Sequence, residues 1–131
     1  MEAGNILEVY NEYLNEEFVF SKSFVNFILN ENVEYLEPWF IFCIDGKYTA
    51  PWCKKLKELY PDRSLIPFAG YRCTDDIACF DGNDKTGNPK VLYIHAFSSP
   101  GWELRGEADS FDEWLKQAAE DAKKFKEESD D

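Results

Sequence analysis

Residues 65–82, LIPFAGYRCTDDIACFDG, constrain the fold more than any other part of the chain. Leu65, Ile66, Pro67, Phe68 and Ala69 form a short apolar run. Proline has no N–H to give to a ladder, so Pro67 bars this run from the middle of a sheet and predicts an edge strand or one leading in from the surface. Gly70 and the carboxylates of Asp75 and Asp76 follow as a turn. Ile77, Ala78, Cys79 and Phe80 then form a second apolar run, closed by the turn dipeptide Asp81-Gly82. A third run, Val91, Leu92, Tyr93 and Ile94, is β-branched and aromatic and lies one polar loop further on. Short connections between successive strands predict an antiparallel meander, because parallel strands need a long crossover.

The flanking segments read mostly as helices. Asn5 can cap a first helix with Ile6, Val9, Tyr10, Tyr13 and Leu14 at helical spacing and Glu8, Glu12, Glu16 and Glu17 elsewhere. Ser21 or Ser23 can cap a second, whose Phe24, Phe27 and Ile28 share a face, with Asn30 and Asn32 as stops. The apolar run Trp39, Phe40, Ile41, Phe42, Cys43 and Ile44 predicts a central strand covered on both faces, ending at Asp45-Gly46. Thr49 and Pro51 open a third helix with Trp52, Leu56, Leu59 and Tyr60 on one side, and Pro61 stops it. Its Lys54, Lys55 and Lys57 read as a solvated basic face. Alternation over residues 102–106 predicts a last strand with a charged outer face. Ser110 and Glu113 form a capping box ahead of Phe111, Trp114, Leu115, Ala118, Ala119, Ala122 and Phe125, which keep a 3.6-residue period.

The order of these pieces predicts an α+β domain, an antiparallel β-sheet meander flanked by helices. One domain is expected over residues 1–126, with residues 127–131 as a charged, disordered tail. A chain of 131 residues buries about two-thirds of the surface it would expose unfolded. With 17% aromatic residues, its core needs neither disulfide nor metal. The four cysteines, Cys43, Cys53, Cys73 and Cys79, match no CxxC or zinc spacing and read as reduced thiols. No signal or transit peptide and no membrane span are expected, which places the protein in the cytoplasm.

Net charge is -12, and it is unevenly spread. Residues 1–46 carry nine acids and one base, residues 47–100 six acids and eight bases, and residues 101–131 eleven acids and five bases. Such a surface repels phosphate backbones and attracts basic proteins, so direct nucleic-acid binding is disfavoured and a cationic protein partner favoured.

Groups for catalysis are sparse. His95 is the single histidine, so a Cys-His pair would have to join it to Cys79 or Cys73. Its place directly after an apolar strand favours a hydrogen-bonded structural role. Asp75 and Asp76, being adjacent in a strand, project to opposite faces and cannot flank one glycosidic bond. From Asp81 the sequence DGNDKTG starts like a calcium loop, then places Lys85 fifth and Gly87 seventh, which breaks the pattern. A polar hairpin is the simpler account. Neither a cofactor nor a metal site is expected.

Taken together, Leu56 to Tyr60, the "PFA" of Pro67, Phe68 and Ala69, the D-x-x-x-x-D of Asp76 to Asp81, the Val91 to Ile94 strand and the S-F-x-x-W-L of Ser110 to Leu115 resemble the SUKH superfamily. The resemblance covers roughly residues 50–120, with the helix of Phe24 to Asn30 similar to the family's upstream one. It implies a SUKH-like α+β fold and no enzymatic activity. It further implies a bacterial immunity protein that binds a cognate polymorphic toxin, often a nuclease, or a regulator acting through protein contacts, as in fungal relatives. Two alternatives stand beside immunity: a regulatory or scaffold protein without a toxin partner, and a small hydrolase using His95. The residues expected to meet the partner are Asp75, Asp76, Asp81 and Asp84, whose carboxylates suit a cationic surface, and the loop aromatics Phe97 and Trp102, which suit an interface anchor.

Overall fold

The computed structural model describes residues 7–14, 17–30, 36–42, 47–72 and 74–129. Asn5, Ile6, Glu16, Asn32, Cys43, Ile44, the Asp45-Gly46 turn, Cys73 and residues 130–131 lie outside them. Among the described residues the chain forms a short 3-10 helix (Glu8–Tyr10), three α-helices and five strands. The helices are α1 (Lys22–Asn30), α2 (Thr49–Leu59) and α3 (Phe111–Ser129). The strands are β1 (Trp39–Ile41), β2 (Leu65–Tyr71), β3 (Asp76–Asp81), β4 (Val91–His95) and β5 (Leu104–Ala108). They pair antiparallel in the order β1-β2-β3-β4-β5, so the expected α+β meander is what forms.

Period-two alternation sends each strand's side chains to two different cores. Ile66, Phe68, Ala78, Phe80 and Val91 meet Phe24 and Ile28 of α1 and Phe111, Trp114 and Ala118 of α3. Leu65, Ile77, Cys79, Leu92 and Ile94 meet Leu56 of α2 and Tyr60 on the other face. The first core is largely aromatic. Phe68 and Phe80 stack at 4.3 Å, and Phe24 stands edge-on to Phe68, Phe80 and Phe111 at 5.5, 5.0 and 5.2 Å. Edge-to-face rings add about 0.5–1.5 kcal/mol per pair beyond the area they bury.

The order of the strands corrects the reading of the Trp39 run as a central strand. β1 is the sheet's edge and only three residues long. It is apolar on both sides because each side meets other rings: Trp39 and Ile41 join the first core, while Phe40 and the following Phe42 lie against Tyr48, with Phe42 also against Trp52. Gly70 is likewise inside β2 and not in a turn. A Cβ there would come within 2.9 Å of the Phe42 ring and 3.0 Å of the Phe40 ring, so its absence lets those rings cross the strand.

Pro67 also sits in an interior strand, contrary to the edge expectation. The physical condition is still met, because β1 reaches only as far as Ile41 opposite Ala69 and the ladder with β3 slips between Pro67 and Ala69. Beyond β1 the flank of Pro67 faces the N-terminal segment, and the Tyr10 hydroxyl donates to the Pro67 carbonyl at 2.7 Å. That contact bears on the expected first helix too: from Leu7 on, the described residues tighten into a 3-10 turn closed by Asn11 N–H to Glu8 O and followed by Tyr13 N–H to Tyr10 O. Glu8 and Glu12 would repel at i,i+4 in a longer helix and Asn11 favours it little, so burial of Tyr10 decides the path.

The caps follow ordinary rules with one exception. Ser21, of the two serines proposed, accepts from Phe24 N–H at 3.2 Å, and Ser110 accepts from Glu113 N–H at 3.3 Å. The Glu113 carboxylate takes Lys116 as its partner instead of closing the box. Thr49 does not cap α2: Tyr48 is the cap residue, and the buried Thr49 hydroxyl has no partner among the described residues.

Candidate functional site

Three strand ends gather at one end of the sheet. Asp76 opens β3 directly opposite His95, which closes β4, and Ala96 N–H donates to Asp75 O at 2.8 Å. The turn before β3 is built by Thr74, whose hydroxyl donates to Tyr71 O at 2.8 Å and accepts from Asp76 N–H at 3.1 Å. The β2–β3 turn and the β4–β5 loop are therefore one joined structure. Asp75 is exposed on it, and the Asp76 carboxylate lies 2.6 Å from His95 Nδ1.

The β4–β5 loop is held from several sides. Tyr60, from the end of α2, donates to Ser98 O at 2.8 Å. Glu103, 3% exposed, is paired with the Arg63 guanidinium and accepts from Gly101 N–H at 2.6 Å, while its carbonyl accepts from His95 N–H. Gly101 has φ 100°, a conformation that favours glycine. Phe97 also adopts a left-handed backbone, φ 67°, which a bulky residue keeps only where its surroundings over-determine it. From this fixed frame Phe97 is 55% exposed and Trp102 74% exposed. Two large rings thus stand in solvent on a backbone with little freedom to move. Phe97 continues a ridge through Trp52, 6.1 Å away, to Phe42.

Trp102 was expected in the last strand, yet β5 starts only at Leu104. A turn from Trp102 N–H to Ser99 O at 2.9 Å keeps Trp102 in the loop, and pairing resumes with Glu103. Asp75, Asp76, Phe97 and Trp102 are therefore neighbours in the fold. Asp81 and Asp84 lie at the other end of β3, roughly 17 Å away along a six-residue strand. Their carboxylates are engaged locally. Asp81 accepts from Asn83 N–H, and Asp84 accepts from Thr86 N–H, the Thr86 hydroxyl and Lys90 N–H. Burial alone would raise the Asp84 carboxyl, but the Thr86 and Lys90 hydrogen bonds outweigh it and hold it below the usual range. This is the polar hairpin read from the sequence, built as a series of side-chain turns.

Of the two thiols that could pair with His95, Cys73 lies outside the described residues. Cys79 alternates to the face opposite Asp76 and His95, is fully buried, and has its thiol pushed well up by burial and then by Cys53. Cys53 is buried and unpaired as well, its thiol pushed up to about 12 by burial. Both behave as small apolar residues. Among the described residues no cluster of His, Cys, Asp and Glu could hold a metal ion, and no helix is long and apolar enough to cross a membrane.

Arg63 and Glu103, which shape the loop, escape a reading of the sequence because forty positions separate them, and the alternation over residues 102–106 would turn Glu103 outward with Arg105, whereas it is buried. The pair has a measurable signature. Burial raises the Glu103 carboxyl, but hydrogen bonds from its own N–H, from Arg63 and from Gly101 N–H, together with the Arg63 charge, bring it below the ordinary value. A depressed folded-state pKa gives stability that is present above the unfolded value, about 4.3, and lost as pH falls through the folded one. In urea melts across pH 3 to 7, Glu103→Gln is expected to flatten the acid-side loss of stability. At neutral pH Arg63→Ala is expected to cost about 1–3 kcal/mol, since it strands a buried carboxylate but removes a partly exposed partner.

The sequence matches the family model described as SMI1 / KNR4 family (SUKH-1) over residues 5–117. No curated protein and no solved structure matches it.

Proposed function

The chain belongs to the SMI1 / KNR4 family (SUKH-1), and from that premise we propose that it is a non-enzymatic protein-binding domain, a cytoplasmic immunity protein that binds and neutralises a cognate toxin. The observation that carries this reading is the clamped β4–β5 loop, which holds Phe97 and Trp102 in solvent beside Asp75 and Asp76. Rigid exposed aromatics with carboxylates at their rim are the makings of a protein interface, with little ordering cost on binding. The net charge of -12 favours a basic partner and steers its approach. A nuclease, whose own substrate is anionic, has such a surface. Asp81 and Asp84 contribute to the general field from the far end of the sheet and not to this patch.

Co-expression with the product of the neighbouring gene, scored by survival and then by pull-down, tests the function. Rescue with a stable complex supports immunity. A stable complex with a protein that is not toxic would instead establish a regulatory or scaffold role. With the partner in hand, Asp75→Lys together with Asp76→Lys is expected to weaken binding about tenfold or more, chiefly through a slower, less salt-sensitive association. Stability should change by about 1 kcal/mol at most, because both carboxylates are solvent-accessible. An unchanged affinity would reject the patch.

A further inference from the structure

Next to this loop a recess of about 310 Å³ opens between the Asp76 end of the sheet and the second half of α3. Its walls are aromatic. Trp39 stands edge-on to Tyr71 at 5.1 Å and tilted to Tyr93 at 6.3 Å. Burial, then Asp121, pushes the Tyr93 phenol up to about 12, and burial raises Tyr71 too, so both rings stay neutral.

The polar groups in the recess stand at the margin of the first core, with Asp76 also held by His95 at 2.6 Å. On α3 the buried stripe runs Phe111, Trp114, Ala118 and Ala122, and Asp121, half-buried, stands at its edge three residues on from Ala118. Asp121 Oδ2 accepts from the Trp39 indole N–H at 3.0 Å and Oδ1 from Gln117 Nε2 at 3.1 Å. On β3, Asp76 shares its face with the core residues Ala78 and Phe80. Both carboxylates line the same recess. One cation, Arg105, also lines it, but its Nε donates to Trp102 O at 3.1 Å and its Nη2 lies 3.5 Å from Ser98 Oγ, which turns the guanidinium toward the β4–β5 loop. Two half-buried carboxylates therefore meet at a single place beside three rings, an acidic and aromatic recess open to solvent.

We propose that this recess receives an arginine side chain of the protein partner, its guanidinium held between the aromatic faces of Trp39, Tyr71 and Tyr93 and the carboxylates of Asp76 and Asp121. A planar guanidinium stacks on rings and bonds a carboxylate through two N–H groups at once, which an ammonium cannot do. The volume, at the low end of the roughly 300–1,000 Å³ of ligand sites, suits one side chain and not a larger molecule. The inference rests on the protein-binding reading above and names the chemistry of its central contact.

The test uses the full chain and small probes, so it needs no knowledge of the partner. N-acetyl-arginine amide, N-acetyl-lysine amide and the neutral N-acetyl-norleucine amide are titrated while the Trp39 indole N–H resonance, identified with Trp39→Phe, is followed by NMR. A saturable shift with the arginine probe in the millimolar range is expected, weaker with lysine and absent with norleucine. Asp121→Asn, which keeps an acceptor for the indole, should weaken the arginine probe about threefold to tenfold. Asp76→Asn serves as the second variant should Asp121→Asn disturb the fold. An equal response to norleucine, no shift at Trp39, or affinity unchanged in a folded variant would overturn the proposal. Arginine failing to bind while toxin rescue holds would remove the recess alone. Arginine binding without rescue would remove the immunity reading and leave the recess standing.

Discussion

Replacing Trp114 with alanine is expected to lower the unfolding free energy by about 3–5 kcal/mol, the range for emptying a buried aromatic site. Trp114 is wholly buried where α3 crosses the sheet, with Phe68 at 4.9 Å, Trp39 at 5.5 Å and Phe111 at 5.6 Å around it. These rings come from β2, β1 and α3 itself, and none can swing far into the space without leaving its other neighbours. Collapse would therefore be partial and the cavity term large. Trp114→Phe should cost less than half as much. The indole N–H has no partner among the described residues, so its removal offsets part of the lost volume. Guanidinium denaturation followed by circular dichroism checks both, and a loss under about 1 kcal/mol for alanine would mean that the helix does not rest on this ring.

Trp102→Ala is expected to leave stability within about 0.5 kcal/mol of the original, because a side chain 74% exposed has little packing to lose. The same change should weaken the complex with the co-expressed partner by about 2 kcal/mol or more, roughly thirtyfold, as for a central aromatic anchor. Calorimetric titration of the purified pair reads the second effect and a thermal melt the first. A complex as tight as the original would place the interface elsewhere. The contrast with Trp114 is the useful part: two tryptophans twelve positions apart, one expected to carry the fold and the other the contact.

Local rules made several elements legible. The meander followed from Asp81-Gly82 and the short loops, α3 from its 3.6-residue stripe, and α1 from Ser21 and its Phe24 face. What failed did so where distant residues decide. Pro67 is interior because β1 stops short of it, and no feature near Pro67 announces where β1 stops. The acidic first segment keeps a helical period as far as Leu14, but beyond Leu7 it tightens into a 3-10 turn where the Tyr10 hydroxyl reaches Pro67. At the proposed interface, Phe97, Trp102, Asp75 and Asp76 were named from residue type and loop position. Their grouping, and the separation of Asp81 and Asp84, required the register of β3 against β4. Arg63, Glu103 and the Trp39–Asp121 contact join residues 40 and 82 positions apart, beyond any local pattern.

The sheet's two margins limit how another protein can attach. On one side β1 offers only three residues of ladder; on the other, β5 is five residues long and sets the charged side chains of Arg105 and Glu107 in water. Short or charged borders discourage an incoming chain from extending the ladder, the route by which sheets stack into aggregates. Recognition by backbone pairing is closed off in the same way. Under the proposed function, a partner is instead met through side chains at the strand ends.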